Sequence, residues 1–474
     1  MRKAAAVLIL CVILVATAFA GCLDWGEKKG KKAENQLPTV EEGGTTQPMS
    51  EEGITVQFID STYEIASGGT SGWFTSGQDA DIMLSGIDFN NTGGPLLFNH
   101  QGNVATDGTH LLLADRNNNR VLIWDSLPTG NSEPNIVLGQ KDFYSNNPGT
   151  GLNQMNWPVG VSTDGEHVVV ADTYNDRILI WNTFPTLNGQ SANLFIDLTA
   201  LPNVIGWPWA VWTNGEKLVV TDTIGSSVLI WNPFPTTNNQ NPDLILNGKN
   251  SSDGTNRFGT PRTIGTDGET YLVIGDHNAR GESANCGNFF WNSFPTTNNE
   301  PYNFFMPNPM DTNQMMWGGE KTDNGKFVIV SPPGISIWNS VPTEVTEPYL
   351  KVGLKVGIGG YYFDDGDGSG LAVTSSGKLF ISLSNGNKIV VFNELPTSET
   401  QCPDYAIGAP DINTNTLETN YFITNPLPVS DGESLFVSSD FDEKLYVWKN
   451  LPDESGAWPD IVYDLSTSEG AFKH

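Results

Sequence analysis

The chain has 474 residues, with 24 Lys and Arg against 54 Asp and Glu, a formal net charge of −30. A surface this acidic repels phosphate backbones and anionic lipid headgroups, so nucleic-acid binding is excluded from the functional reading. Only 16% of residues are charged; the surface is short of bases rather than dense in charge, and its acidity serves solubility outside the cell.

Arg2 and Lys3 precede an apolar run over residues 4–20, which ends in Gly21-Cys22. A basic start, an apolar stretch and a small residue before Cys predict a signal peptide over 1–21 and lipidation of Cys22, although Phe19 stands where Leu is usual. The apolar run falls slightly short of a membrane span, whereas a diacylated cysteine anchors stably. Residues 23–53 are rich in Lys, Glu, Gly, Thr, Gln and Pro. Such a stretch cannot bury a core, so 22–53 reads as a lipidated tether and 54–474 as the folded part. This arrangement places the protein on the outer face of a cell membrane.

From Trp124 onward one phrase returns seven times, at intervals of 47 to 60 residues: IWDSLPT, IWNTFPT, IWNPFPT, FWNSFPT, IWNSVPT, VFNELPT and VWKNLPD. The unit between Trp157 and Leu198 shows its content. VGVSTDG closes in an Asp-Gly turn, HVVVAD and RILIWN flank the polar turn TYND, and NLFIDL follows Pro185 and Thr186. Four short strands with turns between them, repeated at this period, predict an all-β propeller of four-stranded antiparallel blades. Seven repeats give seven blades, with eight and six as the alternative counts. Strand phrases at residues 81–87 and 460–465 stand at opposite ends of the repeats, and one of them is expected to close the ring by pairing across the termini.

ADRNNNRVLIW (114–124) and ADTYNDRILIW (171–181) resemble the core of NHL repeats, and TDTIGSSVLIW (221–231) keeps the Asp of that motif but not its Arg. The added Trp-Asn-x-x-Pro-Thr phrase is similar to a secreted, mostly uncharacterised branch of NHL-like propellers. The resemblance covers the chain from about Ile54 onward and is strongest in the first three repeats. Many such relatives are six-bladed, so seven repeats is a departure, and one that weakens transfer of any six-bladed enzyme's site.

Residues found in every repeat build blades. Asp115, Asp172, Asp222 and Asp276, with Arg120 and Arg177, therefore read as structural, as do His110, His167 and the third-strand Trp residues. Residues that break the repeat are the candidates for binding. Aligned on the Asp-Gly turn, His100, Trp157, Trp207 and Trp317 fall on one rim of the central channel, with Trp209, Arg262, Glu320 and Lys321 just inside. Together they would make an amphipathic mouth suited to sugar rings or peptide side chains. The competing reading is that the Trp residues only pack between neighbouring first strands.

Asp365, Asp367 and Ser369 carry oxygen at alternate positions of a Gly-rich turn, matching the first half of a calcium loop, but Ser376 stands where a bidentate Glu belongs. Calcium is thus the one candidate cofactor. Five histidines are too few and too scattered for a three-His zinc centre, and no nucleophile elbow, Cys-pair metal site or phosphate loop occurs. Cys286 and Cys402 fall on opposite faces of non-adjacent repeats and are expected to remain unpaired. Two functions are compatible with this chain: a lipid-anchored binding propeller for a protein or glycan ligand, which is favoured, and a propeller hydrolase or lyase using a channel-bound divalent cation.

Overall fold

Strands buried on both faces read as unbroken apolar runs, and this chain's second strands do so: Leu111–Asp115, Val168–Asp172 and Leu218–Asp222 are buried along their whole length. The computed structural model describes residues 50–51, 54–55, 84, 92–280, 286–310, 317–331, 334–353, 370–412, 426–439, 444–453 and 457–464. The signal segment, Cys22 and the calcium-loop residues Asp365, Asp367 and Ser369 lie outside the described residues. The chain forms the seven four-stranded antiparallel sheets expected, each of four consecutive strands, besides a two-residue hairpin at Ser50–Thr55. All of them belong to the unit Pro48–His474, which also contains every hydrophobic cluster described below.

The repeated phrase has a packing reason. Each third-strand Trp is buried on one face of its sheet, and its indole N–H donates to a carbonyl in the loop that follows: Trp124 to Ser132 at 2.8 Å, Trp181 to Gln190 at 3.0 Å, Trp231 to Gln240 at 2.8 Å. This Trp face packs on the preceding sheet, and the opposite face packs on the next. In sheet two, Val168, Val170, Leu179 and Trp181 meet Leu112, Ala114, Val121 and Ile123 of sheet one. Its other face, Val169, Ala171, Ile178 and Ile180, meets Leu218, Val220, Leu229 and Trp231 of sheet three.

The same rule closes the ring between sheets six and one. Phe380, Ile389 and Val391 on the outer-facing side of sheet six pack against Leu111, Leu113, Leu122 and Trp124, the Trp face of sheet one. Six such interfaces join six sheets into a closed circle. Polar bonds repeat at the seams in the same sense. The backbone N–H of Trp157 donates to Asn119 Oδ1 of the preceding blade at 2.8 Å, that of Trp207 to Asp176 Oδ1 at 2.8 Å, and that of His100 to Asn387 Oδ1 at 2.8 Å. At the periphery, Val137 N donates to Asn188 Oδ1 at 3.0 Å and Phe195 N to Asn238 Oδ1 at 3.0 Å. At the closing seam, Gly408 N donates to Asn131 Oδ1 at 2.9 Å. Gln101 completes this seam, its Nε2 donating to Leu383 O at 3.0 Å and Lys388 O at 2.8 Å from a fully buried position.

Closure therefore differs from the expected pairing of the termini. Strand Ile461–Asp464 is simply the fourth strand of sheet seven, and residue 84, the one described residue of 81–87, packs on that sheet's Val437, Tyr446 and Trp448. Sheet seven stands outside the circle of six. Its first strand, Leu427–Ser430, is exposed at every residue, where the first strands of sheets two and three are almost wholly buried. The physical reason is that the Trp face of sheet one is already covered by sheet six.

Gln101→Ala removes two buried hydrogen bonds at the closing seam and is expected to lower the unfolding free energy by about 1–3 kcal/mol, read by denaturant titration. Ending the chain at residue 412 should leave a cooperative transition within a few degrees of the parent's, because all six interfaces remain.

Candidate functional site

The loops entering the first strands put three residues in the left-handed region: His100 at φ 47°, Trp157 at φ 57° and Trp207 at φ 70°. A bulky residue there costs about 1–3 kcal/mol and persists only where its surroundings hold it. Here the seam bonds hold it, and Asp172 Oδ1 accepts the N–H of Asn156 at 2.7 Å just before Trp157. Arg177 Nε bonds Asp172 Oδ2 at 2.7 Å, and its outer nitrogens bond the carbonyls of Thr150, Gly151 and Gln154. Arg120 does the same work beside Asp115, with Nε at 2.7 Å from Oδ2. The expected structural role of these Asp and Arg residues is what the geometry shows. His110 and His167 likewise bond Asp107 and Asp164, at 2.6 and 2.8 Å.

At this rim the aromatic residues form one array. Tyr174 stacks on Trp157 with centroids 4.5 Å apart and planes 17° from parallel, and Trp207 meets both edge-on at 6.4 and 5.4 Å. Trp209 is buried beneath, 5.7 Å from Trp157, with the Arg262 guanidinium 4.2 Å above its ring. The Arg116 guanidinium lies 4.6 Å from the Trp157 centroid. Tyr174 and Arg116 thus both lie against the Trp157 ring. Such cation–π contacts contribute roughly 0.5–2 kcal/mol each and fix the rings in place. Tyr174 remains 50% exposed, and Ile205 and Ile224, which flank Trp207 and Thr223 in chain order, are 61% and 51% exposed. The rim of blades two and three thus presents aromatic edges and two isoleucines.

The structure gathers His100, Trp157, Trp207, Trp209 and Arg262 at this mouth, with Trp209 as a buried support rather than a contact surface. Trp317 begins the first strand of blade five, opposite this array. Lys321 does not belong here. It ends that strand at the other mouth, its Nζ 3.9 Å from Asp267 Oδ2 in the neighbouring Asp-Gly turn, because a first strand carries its two ends to opposite faces. Tyr174, Ile224 and Arg116 were not singled out from sequence. Arg116 was findable: Thr173 and Thr223 hold its repeat position and donate to the next blade's Pro208 O at 2.8 Å and Pro261 O at 2.7 Å, so Arg116 breaks a regular feature.

Glu320 lies within the channel between the two mouths. The space encloses about 100 Å³ and is lined by Asn103, Thr106, Ser162, Thr213 and Thr263 among others, from six first strands. Glu320 is half-buried in this lining, and desolvation there pushes its carboxyl up to about 7. Among the described residues, no group of three or more His, Cys, Asp or Glu converges to hold a metal.

The raised carboxyl sets a pH dependence. Below about pH 4.5 Glu320 is neutral folded and unfolded; as pH rises toward about 7 only the unfolded state ionises, so the folded state loses stability. Glu320→Gln should therefore raise the thermal midpoint at pH 8 and leave it unchanged near pH 4, measured by calorimetry.

No family model and no curated protein matches this sequence. Among solved structures the chain is similar to U3-55K, at 13% identity over 60% of this chain and 73% of that one, with a TM-score of 0.34. It is also similar to the RRP9 WD40 repeats, at 12% over 65% and 77% with a TM-score of 0.34, and to Hsv2 of Kluyvelomyces marxianus, at 10% over 77% and 100% with a TM-score of 0.33. The propeller architecture itself rests on the strand registers and the six interfaces of this chain.

Proposed function

We propose that this protein is a lipid-anchored, extracytoplasmic binding propeller that uses the rim of blades two to four to hold a protein ligand. The observation that carries this reading is the locked aromatic array with Tyr174, Ile205 and Ile224 exposed on it. Rigid aromatic and aliphatic groups on a supported rim add contact area at little entropic cost, which is how binding hot spots work. A glycan, the other ligand class, would stack on exposed ring faces, whereas two of the three exposed groups here, Ile205 and Ile224, are aliphatic. The basic, apolar start of the chain and Cys22 support export and anchoring, and the acidic surface supports a partner that is neutral or basic.

The test compares cross-linking of wild type and of a Tyr174→Ala, Ile224→Asp variant to the surface proteins of the source cell. Loss of one specific partner by about tenfold or more, the effect of roughly 1.4 kcal/mol or more, with an unchanged thermal midpoint, is expected. Equal capture by both would end the rim assignment, and capture of glycan alone would replace its ligand class.

A second reading keeps one observation in its favour: Glu320 faces a channel lined with hydroxyl oxygens. A hydrolase or lyase with a channel-bound calcium would show a midpoint raised by several degrees in excess calcium over chelator, by mass action. The binding reading expects no shift.

A further inference from the structure

The loop from the last strand of blade one to the first strand of blade two folds around a hollow of about 180 Å³, none of whose lining residues belongs to the aromatic array. Its side chains are those of Gln140, Lys141, Ser145, Asn147, Asn153 and Gln154; among the described residues none is apolar and none is a carboxylate. Both walls are pinned. Asp142 Oδ1 accepts the N–H of Tyr144 at 3.0 Å and that of Ser145 at 2.8 Å, and Asn119 Nδ2 donates to Asn146 O at 2.8 Å. On the other side the Arg177 guanidinium bonds the carbonyls of Thr150, Gly151 and Gln154 at 2.6, 2.9 and 3.1 Å. Gln140 itself is only 5% exposed. Its Nε2 donates to Asn119 O at 2.9 Å and Asn147 O at 2.8 Å, which fixes the amide and leaves Oε1 as an acceptor. No donor among the described residues reaches that oxygen, yet it keeps accessible surface. An acceptor held rigid on a buried side chain, beside open space, is completed by a donor from outside the chain.

We infer that this hollow binds one sugar residue, free or at the end of a glycan chain. The lining decides the class of ligand. Primary amides and a hydroxyl supply donors and acceptors together, whereas Gln140 Oε1 only accepts. A sugar hydroxyl donates to that oxygen while accepting from a neighbouring amide, so one polyol satisfies both kinds of group. A bare carboxylate or phosphate has acceptors alone and would oppose Oε1. A peptide anchors through apolar or aromatic side chains, and this lining offers them no apolar partner. The space is smaller than the roughly 300–1,000 Å³ of pockets for drug-sized ligands, which limits the occupant to a single ring. With no aromatic face in the lining, hydrogen bonds carry the affinity, and exchange against water keeps their net contribution small. Pinned walls lower the cost of ordering, and the dissociation constant is expected on the order of 1 mM.

Saturation-transfer NMR of the full chain with glucose, galactose, mannose and N-acetylglucosamine tests this, because it reads the sugar's own signals and detects millimolar binding. Transfer to at least one of them is expected. An Asn147→Ala, Asn153→Ala variant should weaken it about fivefold or more; both side chains are exposed and make no hydrogen bond among the described residues, so the fold does not depend on them. Gln140→Ala should abolish it, with near-ultraviolet circular dichroism checking that the ring is intact. The Tyr174→Ala, Ile224→Asp variant should bind sugar as the wild type does, which separates this site from the rim. A glycan ending in the same sugar and bound at least as tightly marks a surface glycan as the source; one that fails to bind marks the free sugar. No transfer to any sugar well above the millimolar range overturns the inference and leaves the hollow to water. So does transfer that the Asn147→Ala, Asn153→Ala variant leaves unchanged or that the rim variant abolishes, since the sugar would then lie elsewhere.

Discussion

Everything in this molecule hangs on a backbone amide held across a seam. The residue that opens a blade's first strand sits at positive φ, and its N–H is accepted by a side-chain oxygen on the polar turn of the blade before it: Asn119 for Trp157, Asp176 for Trp207, Asn387 for His100. The accepting residues are themselves left-handed, at φ 53°, 51° and 47°. At these three seams one bond joins a bulky opening residue at positive φ to an Asn or Asp, residue types that tolerate that conformation. The consequence is positional. Whatever side chain stands at the opening residue is carried to the rim at a fixed angle, which is why the repeat can vary that residue freely and gather tryptophans there.

The same bond decides how many blades the ring holds. Because Asn387 of sheet six already holds His100 of sheet one, and Gln101 is sealed behind it, no place remains for a further sheet. Burial says the same through a different force: the six interfaces share one rule, Trp face on opposite face, and the sixth satisfies it with sheet one. Sheet seven then packs Val437, Tyr446 and Trp448 against Leu84, outside the ring.

Much of this architecture was legible in the sequence. Seven sheets, their turns and the structural Asp–Arg pairs all follow from the repeat and its exceptions, and the structure bears them out. Ring closure was not legible, because periodicity counts units without saying which two end units meet; that information lies in Asn387, Gln101 and Asn131, single residues within otherwise ordinary turns. The rim was half legible. Alignment on the Asp-Gly turn placed His100, Trp157 and Trp207 correctly, since they share one register position. It misplaced Lys321, since position along a strand was read as depth at one mouth. Tyr174 and Ile224 were missed because they occupy turn positions where any polar or apolar residue is tolerated, and only the array around Trp157 gives them a role.

The most direct test of the closed ring of six is amide hydrogen exchange followed by mass spectrometry. The account expects segments 97–106 and 378–392, on either side of the closing seam, to be protected as strongly as segments 157–172 and 207–222 at an internal seam. It expects segment 427–430 to exchange well ahead of them. Fast exchange at 97–106 and 378–392, together with strong protection at 427–430, would mean that sheet seven sits between sheets six and one and would contradict the ring described here.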